Sequence, residues 1–274
     1  TRVAERTRAL EESSVTLSLR TRQLERSLDE QAKTNRELKR LDKLKDEFIA
    51  TVSHELRTPL TAIRGAVGLL AQNVVTPDNP LYTDMLQTAQ ANSERLAQLI
   101  NDLLDLQKFA AGTFTLNLVK VNLSELAQQA VSAMQPYAAR FKINLVFEPG
   151  ANEALWVQAD TLRLRQVMDN LISNAVKFSP PASVVVVRLS SNEHDVRFEV
   201  EDCGAGIPAA FQSRIFQKFS QADSSDSRLK EGTGLGLAIC KKIIENHQGQ
   251  ISFSTTPGEG SIFWFKLALC LTPA

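Results

Sequence analysis

The stretch FIATVSHELRTPL, Phe48 to Leu60, decides how the first part of the chain folds. Apolar residues around it recur in steps of four and three, which predicts a long helix with one buried seam. At about 100° per residue, His54 falls opposite that seam and should face solvent. Thr58 shares the outward face and Glu55 lies at its edge. Most isolated histidines are structural, but this one is placed for chemistry. The predicted seam consists of Val52, Leu56, Pro59, Ile63, Ala66 and Leu70.

Composition excludes several classes of protein. The formal net charge of the 274 residues is zero, so no basic field argues for a nucleic-acid partner. The three cysteines are scattered without metal-ligand spacing, which indicates free, buried thiols and a reducing compartment. No apolar run approaches the roughly 18 residues of a membrane span. The chain begins within a helical pattern, so we expect it to be a cytoplasmic piece of a longer protein. One such protein would be an inner-membrane sensor, of which this chain would be the cytoplasmic portion.

Residues 1–43 carry half of a coiled-coil seam. Leucine recurs every seven residues at Leu10, Leu17 and Leu24, then Gln31 interrupts the series before Leu38. The companion positions are polar, so such a coiled coil would be weak. A solvated charged spacer is the alternative. We favour a signalling coiled coil, because no Gly or Pro separates this segment from the next helix.

A second helix is predicted from Leu81 to Ala111, after a polar connection that contains Pro77 and Pro80. Two antiparallel helices have too little surface to bury two apolar stripes, so residues 44–112 predict a homodimer that forms a four-helix bundle. The polar Asn92 within the stripe would set its register. This stripe consists of Met85, Ala89, Asn92, Leu96, Leu99, Leu103 and Leu106.

From residue 113 to 274 strands and helices alternate, which predicts an α+β sandwich with helices on one face of a mixed sheet. Helices are expected at 123–139, 160–176 and 235–246. Strands are expected at 114–118, 142–147, 155–159, 184–189, 196–201, 250–254 and 261–267, with a hairpin around Asn192.

Three clusters in this second part suit a nucleotide, although each has a plainer interpretation. Asn170, Asn174 and Lys177 share one helix face and suit Mg²⁺ and phosphate, but a polar helix face is the commoner explanation. Asp202 ends a strand before Gly204 and Gly206. Its carboxylate could accept from an exocyclic amine, yet this spacing is more often a tight turn.

The third cluster is glycine-rich and opens a helix, a position that suits phosphate. It consists of Gly232, Thr233, Gly234, Leu235, Gly236 and Leu237. It is not the dinucleotide fingerprint, because Leu237 stands where a third glycine is needed. Nor is it a P-loop, because no Gly-Lys-Ser/Thr follows.

Together with the histidine stretch and IFQKF, the three clusters occur in the order and spacing of bacterial two-component sensor histidine kinases. The resemblance covers roughly residues 44–269 and implies a multidomain protein: an all-α dimeric coiled coil and four-helix bundle, then an α+β sandwich of the Bergerat or GHKL ATP-binding fold. Residues 1–43 resemble the signalling helix that joins a PAS or HAMP sensor module to such kinases. The implied domains are 1–43, 44–112 and 113–274.

The resemblance also implies roles at the first site. His54 resembles the phosphoacceptor, modified on Nε2. Glu55 would act as general base toward the other ring nitrogen. Thr58 resembles the residue that positions water when such kinases dephosphorylate their partner.

At the second site the resemblance implies that ATP and Mg²⁺ bind. Asn174 would be the principal Mg²⁺ ligand with Asn170 in support, Lys177 would contact phosphate, and Asp202 would bind the adenine amine. The glycines of both clusters would border the nucleotide. Phe216 and Phe219 would anchor a lid over residues 220–233.

The gyrase and Hsp90-type ATPases resemble this fold, and one sequence position distinguishes this chain from them. Those enzymes carry a water-activating Glu four residues before the metal-binding Asn, where this chain has Asn170. The resemblance therefore implies phosphoryl transfer to histidine, then to an aspartate of a response-regulator receiver domain. The alternative is a catalytically degenerate dimeric scaffold, against which the intact set of site residues argues.

Overall fold

The computed structural model describes residues 2–150, 155–218, 220 and 234–270, with the backbone alone at several positions before residue 49. Helix α1 runs without interruption over Arg2–Ala71, with Pro59 inside it. The chain divides into two compact units, Thr1–Thr58 and Pro59–Ala274, and α1 contributes to both. The long first helix is confirmed, whereas coiled-coil pairing of residues 1–43 stays a prediction. No helix in the described part of the chain is both long and apolar enough to cross a membrane.

Helix α2 spans Leu81–Ala110 and ends one residue before the predicted position. Its start is fixed by Asn79, whose side-chain oxygen accepts from the N–H of Leu81 at 2.9 Å. Along the predicted seam Leu99 and Leu106 are 4% exposed and the other five members are partly buried. The four-and-three spacing therefore identified the buried face of α2.

Large apolar side chains beside the buried seams of the two helices are left exposed by the part of the chain that the structure describes. Each is between 40% and 49% exposed. On α1 they are Leu60, Val67 and Leu69, and on α2 they are Leu86, Ile100 and Leu104. The hydrophobic surface of the helical part is therefore only partly satisfied within one copy.

The predicted strand at 114–118 is wrong. The first strand, β1, lies later, at Val119–Asn122, and pairs antiparallel with β3, Trp156–Ala159. The start of the predicted segment instead contacts helix α2. Phe114 packs against Phe109 of α2 with ring centroids 4.1 Å apart, so it is partly buried without joining a sheet.

A five-stranded mixed sheet forms the centre of the α/β body, the name used here for residues 119–270. Its strands are β2 (Asn144–Glu148), β4 (Val184–Ser191), β5 (Asp195–Asp202), β7 (Gly260–Ala268) and β6 (Gln250–Thr256), in that spatial order. Only β2 and β4 are parallel. The predicted hairpin around Asn192 is confirmed, because its side-chain oxygen accepts from the N–H of Asp195 at 2.7 Å.

Three helices pack on one face of this sheet. They are α3 (Leu123–Arg140), α4 (Thr161–Phe178) and α6 (Gly236–Asn246), while α5 is a single turn at Ala209–Gln212. Side-chain caps begin two of them: Asn122 accepts from the N–H of Ser124, and Asp160 accepts from the N–H of Arg163. Side chains along a strand point alternately toward the helices and away from them. In β5, Val196, Phe198 and Val200 are fully buried against the helices. This is the predicted α+β sandwich.

Candidate phosphoacceptor and nucleotide sites

His54 lies on α1 with its imidazole in solvent. Its side chain is 77% exposed, which confirms the orientation predicted from the helical phase. Its Nδ1 is 4.0 Å from Oε1 of Glu55, whose side chain is 19% exposed. Thr58 is exposed one turn later and donates its hydroxyl to the carbonyl of His54 at 3.2 Å. A carboxylate therefore lies near one ring nitrogen, although 4.0 Å is longer than a hydrogen bond.

Helix α4 carries Asn170, Asn174 and Lys177 on one partly buried face. Below it the helix is held by fully buried residues such as Ile172 and Val176. Asn170 meets the start of α6, because a Cβ on Gly236 would stand 2.9 Å from the Asn170 amide nitrogen. The Nζ of Lys177 lies 5.5 Å from the ring centroid of Phe178. The structure therefore brings the first and third sequence clusters together.

Asp202 ends β5 and is 7% exposed. One carboxylate oxygen, Oδ1, accepts from the N–H of Gly204 at 2.8 Å and from that of Ser261 at 3.2 Å. Burial raises the pKa of Asp202, while the two backbone hydrogen bonds act in the opposite direction. Both bonds use Oδ1, so Oδ2 has no hydrogen-bond partner among the described residues. That oxygen is available to accept from a ligand.

Two glycines after Asp202 are required by close packing. A Cβ on Gly204 would stand 2.8 Å from Asp202 Oδ1 and 2.9 Å from the carbonyl oxygen of Phe178, so the end of α4 touches the Asp202 turn. Gly206 has a φ of +69° and lies against the backbone of Thr256. The Asp-x-Gly-x-Gly turn is therefore built from backbone contacts that a side chain would obstruct.

The glycine-rich stretch is described from Gly234 onward. Gly234 has a φ of +67°, Leu235 is 1% exposed, and α6 begins at Gly236 with Leu237 next. The first N–H groups of a helix have no partner within it, which suits anionic groups at this end.

Of the remaining residues predicted to border the nucleotide or to form its lid, some lie outside the described part of the chain. Gly232, Thr233, Phe219 and residues 221–231 of the predicted lid lie outside the described residues. Phe216 packs against Phe253 with ring centroids 6.0 Å apart, and its role as an anchor of the lid stays a prediction.

The donor set suits Mg²⁺ only in combination with phosphate. Among the described residues, no three His, Cys, Asp or Glu side chains form a metal-binding group. Mg²⁺ often takes one or two protein oxygens and completes its shell with water and substrate phosphates. The amide oxygen of Asn174 fits that role, with Asn170 beside it.

Some contacts around the site were not predicted. Ser261 lies opposite Asp202 in the β5 and β7 register and orients its carboxylate. No local sequence signal marks this serine, because only the strand register brings it there. The prediction that all three thiols are buried is wrong for Cys203, which is exposed beside Asp202, whereas Cys240 is buried and Cys270 partly buried. Cys203 follows the end of β5, where the core no longer covers side chains.

Comparisons with known proteins agree with this architecture. Residues 44–112 match the family model of the His Kinase A (phospho-acceptor) domain. Residues 159–270 match that of the histidine kinase-, DNA gyrase B- and HSP90-like ATPases. The sensor protein GacS of Pseudomonas syringae pv. syringae is 39% identical over 231 residues, which cover 83% of this chain and 25% of GacS. The chain thus spans about a quarter of that relative.

Solved structures show the same relationship. Full-length ShkA in complex with AMPPNP superposes with a TM-score of 0.62 at 30% identity, over 83% of this chain and 47% of ShkA. Histidine kinase ThkA in complex with the response regulator protein TrrA gives a TM-score of 0.59 at 25% identity, over 82% of this chain and 61% of the matched one. With both domains matched in order, this chain belongs to the two-component sensor histidine kinase family.

Proposed function

We propose that this chain binds ATP and Mg²⁺ in its α/β body and phosphorylates His54. The observation that carries the proposal is the pairing of an exposed imidazole with the Glu55 carboxylate 4.0 Å away. The same chain holds a second cluster, of Asn170, Asn174 and Asp202, that suits a nucleotide. The solved complex of ShkA with AMPPNP supports the binding of a nucleotide by this chain.

The reaction follows from what each residue can do. Nε2 of the neutral His54 ring attacks the γ-phosphorus, the bond to the β–γ bridging oxygen breaks, and ADP leaves with that electron pair. Glu55 accepts the proton from Nδ1 as positive charge develops on the ring. Asp202 would accept from the adenine amine through Oδ2, and Lys177 would pair with phosphate oxygens. Mg²⁺, held by Asn174 and phosphates, would neutralise charge on the transferred group.

Phosphohistidine is labile, so we propose that the phosphoryl group passes to an aspartate of a response-regulator receiver domain. The complex of ThkA with TrrA supports a partner of this kind. Thr58, exposed one turn after His54, would orient a water molecule that attacks the aspartyl phosphate of the receiver and releases phosphate, so the chain would also act as a phosphatase of that regulator.

We further propose that the working form is a homodimer. The uncovered apolar residues on α1 and α2 would be buried in a four-helix bundle with a second copy. Residues 1–43 would connect the bundle to an upstream PAS-like or HAMP-like sensor module. The chain would act in the cytoplasm, where ATP is available.

The test is the incorporation of acid-labile label from γ-labelled ATP. His54→Gln should abolish labelling, and Asn174→Ala should abolish it together with nucleotide binding. His194→Gln is the matched control, because His194 is exposed in the β4 and β5 turn and should label normally. Persistent label in His54→Gln would refute the assignment. Failure of the wild-type chain to bind Mg²⁺ and ATP would favour the degenerate scaffold.

A second measurement separates the two proposed activities toward a receiver. Thr58→Ala should retain autophosphorylation and transfer but lose dephosphorylation of a phosphorylated receiver domain. If Thr58→Ala dephosphorylates the receiver as fast as wild type, the phosphatase role of Thr58 is excluded.

A further inference from the structure

The C-terminal turns of α2 are attached to the α/β body by a polar contact. Asp105 of α2 binds Arg163 of α4 through two parallel hydrogen bonds, of 2.9 and 2.5 Å. The Asp105 side chain is only 6% exposed and that of Arg163 27%. The guanidinium also lies over the ring of Phe114, 5.2 Å from its centroid. We call Asp105, Arg163 and Phe114 the clamp.

The clamp connects α2 to the helix that carries the nucleotide-site asparagines. Arg163 is in the first turn of α4, two turns before Asn170. Leu106 of α2 is 4% exposed and belongs to the same hydrophobic core as the α/β body. The end of α2 and α4 therefore hold one defined arrangement.

A second carboxylate of α2 is buried beside the clamp without a cation. Asp102 is 3% exposed and accepts from the side-chain amide of Gln98 at 2.8 Å. It faces α6, where the buried Cys240 lies close enough to interact with its charge. Arg163 is already engaged by Asp105, and no ion pair to Asp102 occurs among the described residues. A buried unpaired charge is costly, so this contact favours the neutral acid.

We propose that the clamp positions the α/β body on α2 and that Asp102 is its release group, which permits attachment when protonated and weakens it when ionised. This rests on the proposed function in one respect. A body that serves His54 and then vacates it for a receiver domain must have more than one position relative to the helices. The clamp would define one of those positions.

The sign of the pH effect follows from burial. Burial raises the pKa of Asp102 to about 6, helped by the nearby Asp105 and opposed by the hydrogen bond from Gln98. When α2 is detached, the carboxyl returns to water and to its ordinary pKa of 3.8. Attachment is therefore complete below that value and weakens as pH rises through about 6.

The groups around Asp102 do not cancel this effect. Gln98 is neutral, Asp105 is paired with Arg163, and burial raises the pKa of the Cys240 thiol, so it stays neutral. Between about pH 5 and about pH 7.5 the attachment equilibrium should fall about tenfold.

Hydrogen–deuterium exchange of residues 99–110, corrected for intrinsic pH dependence, tests the proposal. In the wild-type chain, protection should fall as pH rises over that interval. Asp102→Asn keeps the shape of the side chain and stays neutral, so residues 99–110 of this variant should be protected at both the low and the high pH of the interval. Asp84→Asn, an exposed carboxylate in the first turn of α2, is the matched control and should behave as wild type. Arg163→Gln should lower protection at every pH.

Activity gives an independent measurement. At about pH 7.5, attachment at the clamp is favoured in Asp102→Asn, so fewer molecules have the α/β body in a position to serve His54. The variant should therefore autophosphorylate at least about threefold more slowly than wild type, with an unchanged KM for ATP. Equal pH slopes in Asp102→Asn and wild type would overturn the proposal, as would pH-independent protection in both. If the exchange pattern appears but no variant is labelled, the clamp stands and the proposed kinase function falls.

Discussion

His247 joins the end of α6 to the start of α4 through its contact with Asp160. Its Nε2 accepts from the backbone N–H of Asp160 at 2.9 Å, and its Nδ1 lies 2.8 Å from the carbonyl oxygen of Ile243. Asp160 in turn caps α4 by accepting from the N–H of Arg163. A neutral imidazole donates from one nitrogen and accepts at the other, whereas the imidazolium only donates. This connection therefore requires a neutral histidine.

Acid should weaken the fold through His247. Burial lowers its pKa, so the native protein binds fewer protons here than the unfolded chain, whose histidine has a pKa of about 6.5. The contribution is complete above about 6.5 and is lost as pH falls toward the lowered pKa. Thermal melting of wild type and His247→Gln should show a lower Tm for the variant at neutral pH and a smaller drop between about pH 7 and about pH 5.5.

The matched control for this experiment is His194→Gln, since His194 is exposed and should leave the wild-type slope intact. Asp102 changes stability in the opposite direction as pH falls, but it is present in every variant. Identical slopes in His247→Gln and wild type would show that His247 does not titrate on unfolding.

Glu55→Gln should separate chemistry from nucleotide binding. The amide cannot take the proton that leaves Nδ1 of His54, so the autophosphorylation rate should fall about a hundredfold or more. ATP affinity should not change, because Glu55 lies on α1 and outside the proposed nucleotide site. Single-turnover labelling and fluorescent-nucleotide titration measure the two quantities. Glu94→Gln, an exposed position on α2, should match wild type, and full activity in Glu55→Gln would exclude the base role.

The Asp202 turn should not tolerate a methyl group at Gly204. A Cβ there would stand 2.8 Å from the Asp202 carboxylate and 2.9 Å from the Phe178 carbonyl. Gly204→Ala should lower the free energy of unfolding by about 1–3 kcal/mol and weaken nucleotide binding. Gly65→Ala, within α1 and with nothing within 4 Å of the added Cβ, should instead be neutral or stabilising by up to about 1 kcal/mol. Chemical denaturation of both variants distinguishes the outcomes.

The features of this fold that depend on nearby residues in the sequence could be predicted from the sequence. The buried faces of α1 and α2 follow from periodicity, and the polar residues Asn122 and Asp160 stand where α3 and α4 begin. The strand prediction at 114–118 is wrong because Phe114 is partly buried against a helix and not within a sheet. The Asp105 contact with Arg163 and the His247 contact with Asp160 join residues far apart in sequence. Only the assembled fold brings these pairs together.

Asp202→Asn should change which base the site accepts. In the native structure Oδ1 accepts from the N–H groups of Gly204 and Ser261, which leaves Oδ2 for an exocyclic amine. The same two donors would hold the asparagine oxygen, so its NH₂ would take the place of Oδ2. A donor facing the adenine amine loses a charge-assisted bond of about 1.5–3 kcal/mol, or roughly 10- to 100-fold in affinity.

Guanine presents a carbonyl oxygen where adenine presents its amine, so the asparagine NH₂ would donate to it. Asp202→Asn should therefore bind GTP better relative to ATP than the wild-type chain does, with little change in Tm because both backbone bonds remain. Competition of each nucleotide against one fluorescent analogue measures the ratio. If the ATP affinity of Asp202→Asn stays within about twofold of wild type, the loss expected for a charge-assisted bond is absent. Asp202 would then shape the turn without contacting the base.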